Sequence, residues 1–301
     1  MTITSPFPPA PPTIAGDVIS IDQWLADPLR VTQTLRDLTL ERFLADQIFT
    51  PGGRATGGAV IYDQILGNEL YATRDVQAIE PGSEFPLVEG TDVSPLVART
   101  TKWGGAFILT YEARDRDRRD LLGQKLTQLR NTIVRKVDTV AVATLRAAPI
   151  LQATASGNWS DPDTNIFSDT TAARAAVSRQ DLGYEIDTAL ISPNTELGMV
   201  NNDRLQNLLP RENQGAPNPI MSGQLGRLAG ITRWFVSNRV GDDEVFFLSG
   251  RNAGSISDER PLYSRQIDQP EYERWLVQAA RLTVPYVSNP KSVVRVTGIN
   301  S

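Results

Sequence analysis

The chain has 301 residues, 40% of them hydrophobic and 22% charged, with a formal net charge of −5. This is enough for one large or two modest domains with a core, and the composition is typical of a soluble globular protein. The sequence contains no cysteine and no histidine, which excludes disulfides, zinc–cysteine sites and catalysis by a Cys nucleophile or a His base.

The charges are evenly distributed along the chain. There is no run of about 18 apolar residues and no basic–apolar leader, so we expect neither a membrane span nor a secretory signal. No Lys/Arg-rich tract indicates a nucleic-acid-binding domain. Only four of the 30 basic residues are lysines. The excess of arginine reflects either a GC-rich genome or ion pairs between subunits, for which the guanidinium is the better donor.

The first 20 residues contain five prolines and are expected to form an extended arm. Asp27-Pro28 has the N-cap and first-turn chemistry of a helix, which the leucine spacing extends to about Gln47. The glycine-rich segment 50–58 then interrupts the pattern. No lysine follows its last glycine, as a phosphate-binding P-loop would require, so we interpret this segment as a hinge.

A short strand is predicted at 59–65, and an alternating, polar stretch follows over 69–103 with turns at Pro81-Gly82 and Glu89-Gly90. This pattern predicts a two-stranded ribbon. Such a ribbon is marginally stable alone, so it is expected to lie on another surface, for which a neighbouring subunit is a candidate.

A strand at 104–112 leads into one long amphipathic helix, which begins near 114–120 and ends before Pro149. It spans about 34 residues, or roughly 50 Å at 1.5 Å per residue. Because it has a single apolar stripe, a flat layer is expected to pack against it. The stripe consists of Leu122, Leu126, Leu129, Ile133, Val137, Val140 and Thr144.

The region after Pro149 mixes strands and helices, which indicates an α+β fold. A helix capped at Ser168 or Asp169 precedes a buried strand at 187–193, and a second helix is predicted with Asn194 as its cap. A glycine- and proline-rich loop then leads to two strands over 231–250. The closing segment 271–299 is predicted as two strands, with the strand at 104–112 as their natural partner, so that the chain returns to its first domain.

The loop at 161–170 begins like an EF-hand. The sixth position of that loop is Ile166 where glycine is needed, and the twelfth is Ala172 where glutamate is needed. We therefore interpret the segment as a solvated loop before a helix rather than a calcium site.

Three parts of the chain carry a resemblance to a known family. They are VQAIEPGSEFPLVEG with KWGGAFILTYEARDRDRRDLLGQKL (76–126), DTALISPNTELGMV with GQLGRLAGITRWFVSN (187–238), and WLVQAARLTVPYVSNPKSVVRVTGI (275–299). In this order they resemble the major capsid proteins of tailed phages, which share the Hong Kong-97-type fold. The resemblance covers about residues 55–301, and the N-terminal segment corresponds to the arm of that family.

The resemblance implies an α+β Hong Kong-97-type capsid fold. Its expected parts are an N-terminal arm (1–54), an extended β-ribbon loop (55–100), a peripheral domain with a strand and the spine helix (101–149), an axial domain (150–272), and return strands of the peripheral domain (273–301). The implied function is a structural one. Copies would form pentamers and hexamers of an icosahedral shell around double-stranded DNA, in a virion capsid assembled in the bacterial host cytoplasm.

The implied partners are further copies of the chain, a separate scaffolding protein, a portal and a decoration protein, with weak non-specific contact to the packaged DNA and none to membranes. No cofactor, metal or catalytic residue is expected. The chain lacks a long helical leader, so we expect no fused scaffolding segment. Some members of the family cross-link a loop lysine to an asparagine of a neighbour; residues 55–101 contain no lysine, so no such isopeptide bond is expected.

Candidate assembly or packing residues lie on the loop, the strand and the helix. The arginines near the helix start alternate with aspartates, so we interpret them as pairing within the helix or between subunits rather than as DNA contacts. Tryptophans are expected to be core or interface anchors. The candidates are Arg74, Glu80, Glu84, Trp103, Arg114, Arg116, Arg118, Arg119, Leu122, Leu126, Leu129, Ile133 and Val137.

Three other functions remain open from the sequence. An encapsulin-like nanocompartment would share the fold but enclose proteins instead of DNA. An enzyme with paired carboxylates would need two acids at a working spacing, which the sequence does not identify. A tail or connector protein would form a ring rather than a closed shell.

Overall fold

The computed structural model describes residues 31–33, 43–67, 71–72, 76–82, 84–87, 90, 95–116, 119–202 and 228–300. Residues 31–33 are helical, as predicted. The proline-rich arm, the predicted start of the first helix, and residues 203–227, which include most of the predicted glycine- and proline-rich loop, lie outside the described residues.

The helices are α1 (Leu44–Ile48), α2 (Tyr111–Asp115), α3 (Arg119–Ala147), α4 (Ile166–Ser178) and α5 (Pro193–Asn201). The strands are β1 (Thr50–Pro51), β2 (Ala59–Asp63), β3 (Pro95–Arg99), β4 (Thr101–Thr110), β5 (Leu151–Thr154), β6 (Thr188–Ile191), β7 (Arg233–Val236), β8 (Glu244–Leu248), β9 (Ser255–Gln269), β10 (Arg274–Tyr286) and β11 (Val293–Thr297). Two 3₁₀ turns, Pro270–Tyr272 and Pro290–Ser292, precede β10 and β11.

The chain divides into two compact units. The first comprises the described parts of 1–43 together with 101–137 and 258–283, and the second comprises those of 44–100, 138–257 and 284–301. Helix α3 and strands β9 and β10 each contribute residues to both units.

The first unit is built on the antiparallel pair β4–β10, whose register runs from Thr101↔Thr283 to Thr110↔Arg274. The predicted pairing of the 104–112 strand with the closing segment is therefore confirmed. Alternate residues of β4, beginning with Trp103, share one face of the sheet, and on that face Gly105 lies against Leu129 of α3. A Cβ atom on Gly105 would be 2.8 Å from the Leu129 Cδ1, so the glycine permits close packing of helix on sheet.

Helix α3 has 29 residues, fewer than the 34 or so expected, because Tyr111–Asp115 forms the separate helix α2 capped by the Thr110 side chain. The buried row begins as predicted in the sequence but continues differently at its C-terminal end. After Val137 it proceeds in steps of four through Ala141 and Leu145, whereas Val140 and Thr144 are only partly buried. Steps of four keep successive side chains on one face of the helix.

The second unit contains a five-stranded sheet in the order β5-β11-β8-β6-β7. Every residue of β6 and β8 is buried, which is typical of strands covered on both faces. Buried residues of the sheet, including Phe247 of β8, form a core with Ile166 of α4, Met199 of α5 and Trp159 of the segment before α4.

The last strand differs from the expectation. β11 pairs in parallel with β5 and antiparallel with β8, not with the strand at 104–112. Val293, Val294 and Val296 are almost completely buried, so this strand has apolar side chains on both faces and suits the interior of the larger sheet.

Both predicted helix caps in this unit are wrong by two or more residues. The cap of α4 is Asn165, whose side chain accepts from the Ser168 N–H at 3.2 Å. Asp169 instead accepts from the Trp159 indole N–H at 2.9 Å. The cap of α5 is Ser192, which is followed by a proline at the first helical position.

The predicted short strand is β2, which pairs antiparallel with β3 from Ala59↔Arg99 to Asp63↔Pro95 and so forms a two-stranded ribbon. The ribbon expected within 69–103 itself is wrong, because the described residues of that stretch before Pro95 form no strand. The first two residues of the predicted hinge form a strand instead of a loop. Thr50 and Pro51 form β1 and pair in parallel with the first two residues of β9.

Candidate interaction surfaces

The ribbon presents an apolar pair to solvent. Ile61 and Val97 are directly opposite each other in the register and are 73% and 60% exposed. The other face of the ribbon is partly covered, because Tyr62 packs on Tyr286 with ring centroids 4.6 Å apart. An exposed cross-strand apolar pair on a two-stranded sheet marks an interaction surface.

The segment that follows the ribbon strand β2 is also exposed and apolar. Phe85 and Leu87 are 78% and 86% exposed, and Val76 is similarly open. The predicted candidates Glu80 and Glu84 are exposed between them, whereas Arg74 lies outside the described residues. Exposed large apolar side chains in such a cluster are typical of protein–protein contact sites.

Trp103 lies in a groove between β4 and α3, which we call the Trp103 groove. Its volume is about 280 Å³ and it is lined by Trp103, Gly104, Gly105, Leu129, Thr132, Ile133 and Lys136. The Lys136 ammonium lies 4.9 Å from the centre of the Trp103 ring, within the range of a cation–π interaction. The structure thus brings together three of the predicted residues, Trp103, Leu129 and Ile133. The other stripe residues among the assembly or packing candidates, Leu122, Leu126 and Val137, are buried.

Of the four predicted arginines near the start of α3, Arg114 and Arg116 have described side chains. Arg114 binds Asp115 with an Nη2–Oδ1 distance of 3.0 Å and stacks over the Tyr111 ring at 5.0 Å. Arg116 is exposed, and Arg118 and the side chain of Arg119 lie outside the described residues. The Arg114–Asp115 pair joins adjacent residues rather than residues four apart.

A buried carboxylate on α3 was missed by the sequence analysis. Asp138 accepts a hydrogen bond from the Ala45 N–H at 3.1 Å and so holds the start of α1. Burial raises the pKa of Asp138 to about 6, although the backbone hydrogen bonds from Ala45 and Leu44 act in the opposite direction. The available signal was that Asp138 is the only acidic residue between 121 and 148.

An ion triad that joins α3 to the inner strands β8 and β11 of the five-stranded sheet was also missed. Glu244 is almost fully buried and contacts both Arg146 and Arg295; the Arg295 Nη2 to Glu244 Oε2 distance is 2.7 Å. The Gly241 N–H donates to the same carboxylate at 3.1 Å. Burial opposes ionisation of Glu244, but hydrogen bonds from Arg146 and Gly241 and the two positive charges together lower its pKa.

Neither a metal cluster nor a membrane-spanning helix is found in the described ranges. No group of three or more acidic side chains there is placed to hold a metal ion. In the segment before α4 the Asn202 amide donates to the carbonyl oxygens of Trp159, Asp161 and Thr164, at 3.2, 2.8 and 3.4 Å. None of the described helices combines the length and the apolar character needed to cross a bilayer.

Comparison with known proteins identifies one family. The model of a family described as phage capsid protein matches residues 93–296, about two-thirds of the chain. This range includes β4, the Trp103 groove and α3. No curated protein sequence matches the chain.

Solved structures share the fold at low sequence identity. A phage-related protein from Bordetella bronchiseptica RB50 is 12% identical with a TM-score of 0.61, over 91% of this chain and 97% of that one. The mature capsid of bacteriophage PhiM1 is 14% identical with a TM-score of 0.61, over 84% and 86%. The virus-like particle from Pyrococcus furiosus is 13% identical with a TM-score of 0.58, over 89% and 98%.

Proposed function

This chain belongs to the phage capsid protein family, and from that premise we propose that its copies assemble into the pentamers and hexamers of an icosahedral shell around double-stranded DNA. It is a major capsid protein with a Hong Kong-97-type fold, as the sequence predicted. Its role is structural, and its place is the virion capsid.

The observation that carries the shell proposal is the exposure of the ribbon and its following segment in a single copy. Ile61, Val97, Phe85 and Leu87 leave a large apolar area open to water. Stable interfaces between obligate partners bury about 2,000 Å² or more, and these exposed apolar side chains supply part of such an area to a neighbouring copy. We propose that residues 55–100 act as the extended loop. The bounds of the two domains differ from those expected from the sequence, because 258–283 lies in the unit of β4 and 284–301 in the unit of the five-stranded sheet. We therefore propose 101–137 with 258–283 as the peripheral domain and 138–257 with 284–301 as the axial domain.

The charge of the chain supports DNA as the content of the shell. A mildly acidic protein without a Lys/Arg-rich tract neutralises few phosphates, so it permits DNA to enter and leave the shell. We propose that assembly takes place in the host cytoplasm with a separate scaffolding protein, a portal and a decoration protein.

We further propose that the shell is not held by isopeptide bonds from the extended loop, since residues 55–101 contain no lysine. Boiled particles on a denaturing gel are expected to give one band near 33.0 kDa. A ladder of higher masses would contradict this proposal.

Electron microscopy of the purified protein tests the function directly. Closed shells are expected; rings would indicate a connector, and compact monomers at high concentration would exclude self-assembly. The content of the particles separates the two shell functions, because nucleic acid indicates a phage head and packaged protein an encapsulin-like compartment. The phage head is favoured by the family match, whereas the Pyrococcus furiosus similarity shows only the fold.

A further inference from the structure

We propose that a cationic pocket on the β4–β10 pair binds the phosphate group of a nucleotide, either free or within a nucleic acid strand. We call it the Lys102 pocket. Its volume is about 320 Å³, and it lies entirely within the first unit. Its polar lining is Lys102, Tyr263 and Gln278, and its floor includes Gly104, Ala106 and Ala280.

The pocket lies on the face of the sheet that is turned away from α3. Lys102, Gly104 and Ala106 alternate along β4 with Gly105, which lies against Leu129 of α3. Successive residues of a strand point to opposite faces, so the pocket residues share the other face.

The floor of the pocket consists of small residues on two paired strands. The register places Gly104 opposite Ala280 and Ala106 opposite Gln278. A Cβ atom on Gly104 would be 2.5 Å from the Ala280 Cβ, so the two strands are too close there for a side chain. The floor is therefore flat, and a ligand can approach the backbone.

Two cations lie beside one aromatic ring at one end of the pocket. The Lys102 ammonium is 5.9 Å and the Arg260 guanidinium 5.2 Å from the centre of the Tyr263 ring. Both side chains are exposed, and no carboxylate of the described residues forms an ion pair with either. Like charges repel each other, and an anion bound beside them removes that repulsion. A phosphate monoester, with a charge of about −1.5 to −2 at pH 7, suits two cations better than a single carboxylate does.

Gln278 lies at the opposite end of the pocket and favours a ligand longer than phosphate. Its partner Ala106 is four residues from Lys102 along β4, a separation of about 13 Å. A nucleotide can cover this distance, with its phosphate at the cations and its sugar and base on the floor. The Gln278 amide both donates and accepts hydrogen bonds, which suits the edge of a base. The volume is also at the lower end of the roughly 300–1,000 Å³ of small-molecule pockets.

Titration calorimetry of the soluble full-length chain with deoxyadenosine monophosphate tests the proposal. Lys102→Gln and Arg260→Gln are each expected to raise the Kd about tenfold, because each removes a charged hydrogen-bond donor. Lys102→Arg keeps the charge and should retain most of the affinity. Arg251→Gln removes the same charge at an exposed position of the second unit and is the matched control, with the native Kd expected. Equal thermal midpoints without nucleotide verify that the variants are folded.

Gln278→Ala separates the two ends of the pocket. It is expected to weaken the binding of the nucleotide and to leave the weaker binding of inorganic phosphate unchanged, a difference that a general loss of structure would not produce. A short DNA duplex without terminal phosphates identifies the source of the ligand. Displacement of the nucleotide by the duplex supports a site for the DNA backbone, and binding of the nucleotide alone supports a site for free nucleotides.

Four results would overturn the proposal. The native chain gives no heat of binding, both glutamine variants bind as the native chain does, Arg251→Gln weakens binding equally, or a glutamate peptide binds more tightly than the nucleotide. The last result would show that the two cations receive carboxylates of a protein. Because binding is measured on the unassembled chain, these results are independent of whether the chain forms shells.

Discussion

Replacement of the buried aspartate on α3 tests the electrostatics of the second unit. Asp138→Asn keeps an oxygen that accepts from the Ala45 N–H but removes the charge. The folded-state pKa of Asp138 is about 6 against an ordinary value of 3.8, a difference of about 2 units, and each unit corresponds to about 1.4 kcal/mol. The carboxylate is therefore expected to cost the folded protein about 3 kcal/mol once it is fully ionised.

The raised pKa of Asp138 determines the pH range over which this group changes the free energy of unfolding. The folded state binds the proton more tightly than the unfolded state, so the stabilising contribution is complete below about pH 3.8 and is lost as the pH rises through about 6. On lowering the pH from 7 to 5, this group adds about 1.4 kcal/mol to the free energy of unfolding of the native chain. Asp138→Asn should lack this gain and be more stable than the native chain at pH 8.

Urea unfolding of soluble protein at one concentration, measured between pH 4.5 and 8, is the assay. Asp163→Asn, at an exposed position in the 161–170 loop, is the matched control and should keep the native pH profile. Asp138→Ala should also lack the pH-dependent gain, but it loses the acceptor for Ala45 and should be less stable than Asp138→Asn by about 1 kcal/mol. If the free energies of unfolding of the native chain and Asp138→Asn changed with pH by the same amount, the argument from burial would be refuted.

Three further changes test the packing and the ion triad, the first two by thermal or urea unfolding and the third by solubility and shell formation. Glu244→Gln leaves two partly exposed arginines without their shared anion and should cost about 1–3 kcal/mol; an unchanged stability would contradict the triad. Gly105→Ala should cost about 1–3 kcal/mol because its Cβ would lie 2.8 Å from Leu129, and Leu129→Ala should relieve the clash, whereas the open site Gly53→Ala should be neutral. Leu129→Asp buries a charge and should give insoluble or unassembled protein; normal shells would show that this face of α3 is not buried.

The periodic features of this chain were predictable because they depend on local geometry. The spacing from Leu122 to Val137 required one helical face, and that face is buried. Alternation in the strand near Trp275 and in the strand over 104–112 made their pairing a natural expectation, and the register confirms it. The ordered set of segments was also sufficient to indicate the capsid family.

Where several residues could cap one helix, or a strand could join either of two sheets, the sequence could not show which arrangement forms. Asn165, Ser168 and Asp169 can all cap a helix, and the choice was decided by the Trp159 indole, which binds Asp169 and leaves Asn165 as the cap. The valine-rich strand β11 suits either sheet by pattern alone. Its place beside β5 and β8 depends on which sheet can bury both of its faces.

The sequence by itself determined the long helix with its apolar stripe, the short strand that begins at 59 and the absence of cysteine and histidine chemistry, because each is a property of composition or of short-range spacing. Only the tertiary structure decided that Arg146, Glu244 and Arg295 form one ion triad, that Asp138 holds the start of α1, and that Trp103 lines a groove rimmed by Lys136. These groups are far apart in the chain, and no spacing rule relates them. Burial and distance give them their roles, and both exist only once the chain has folded.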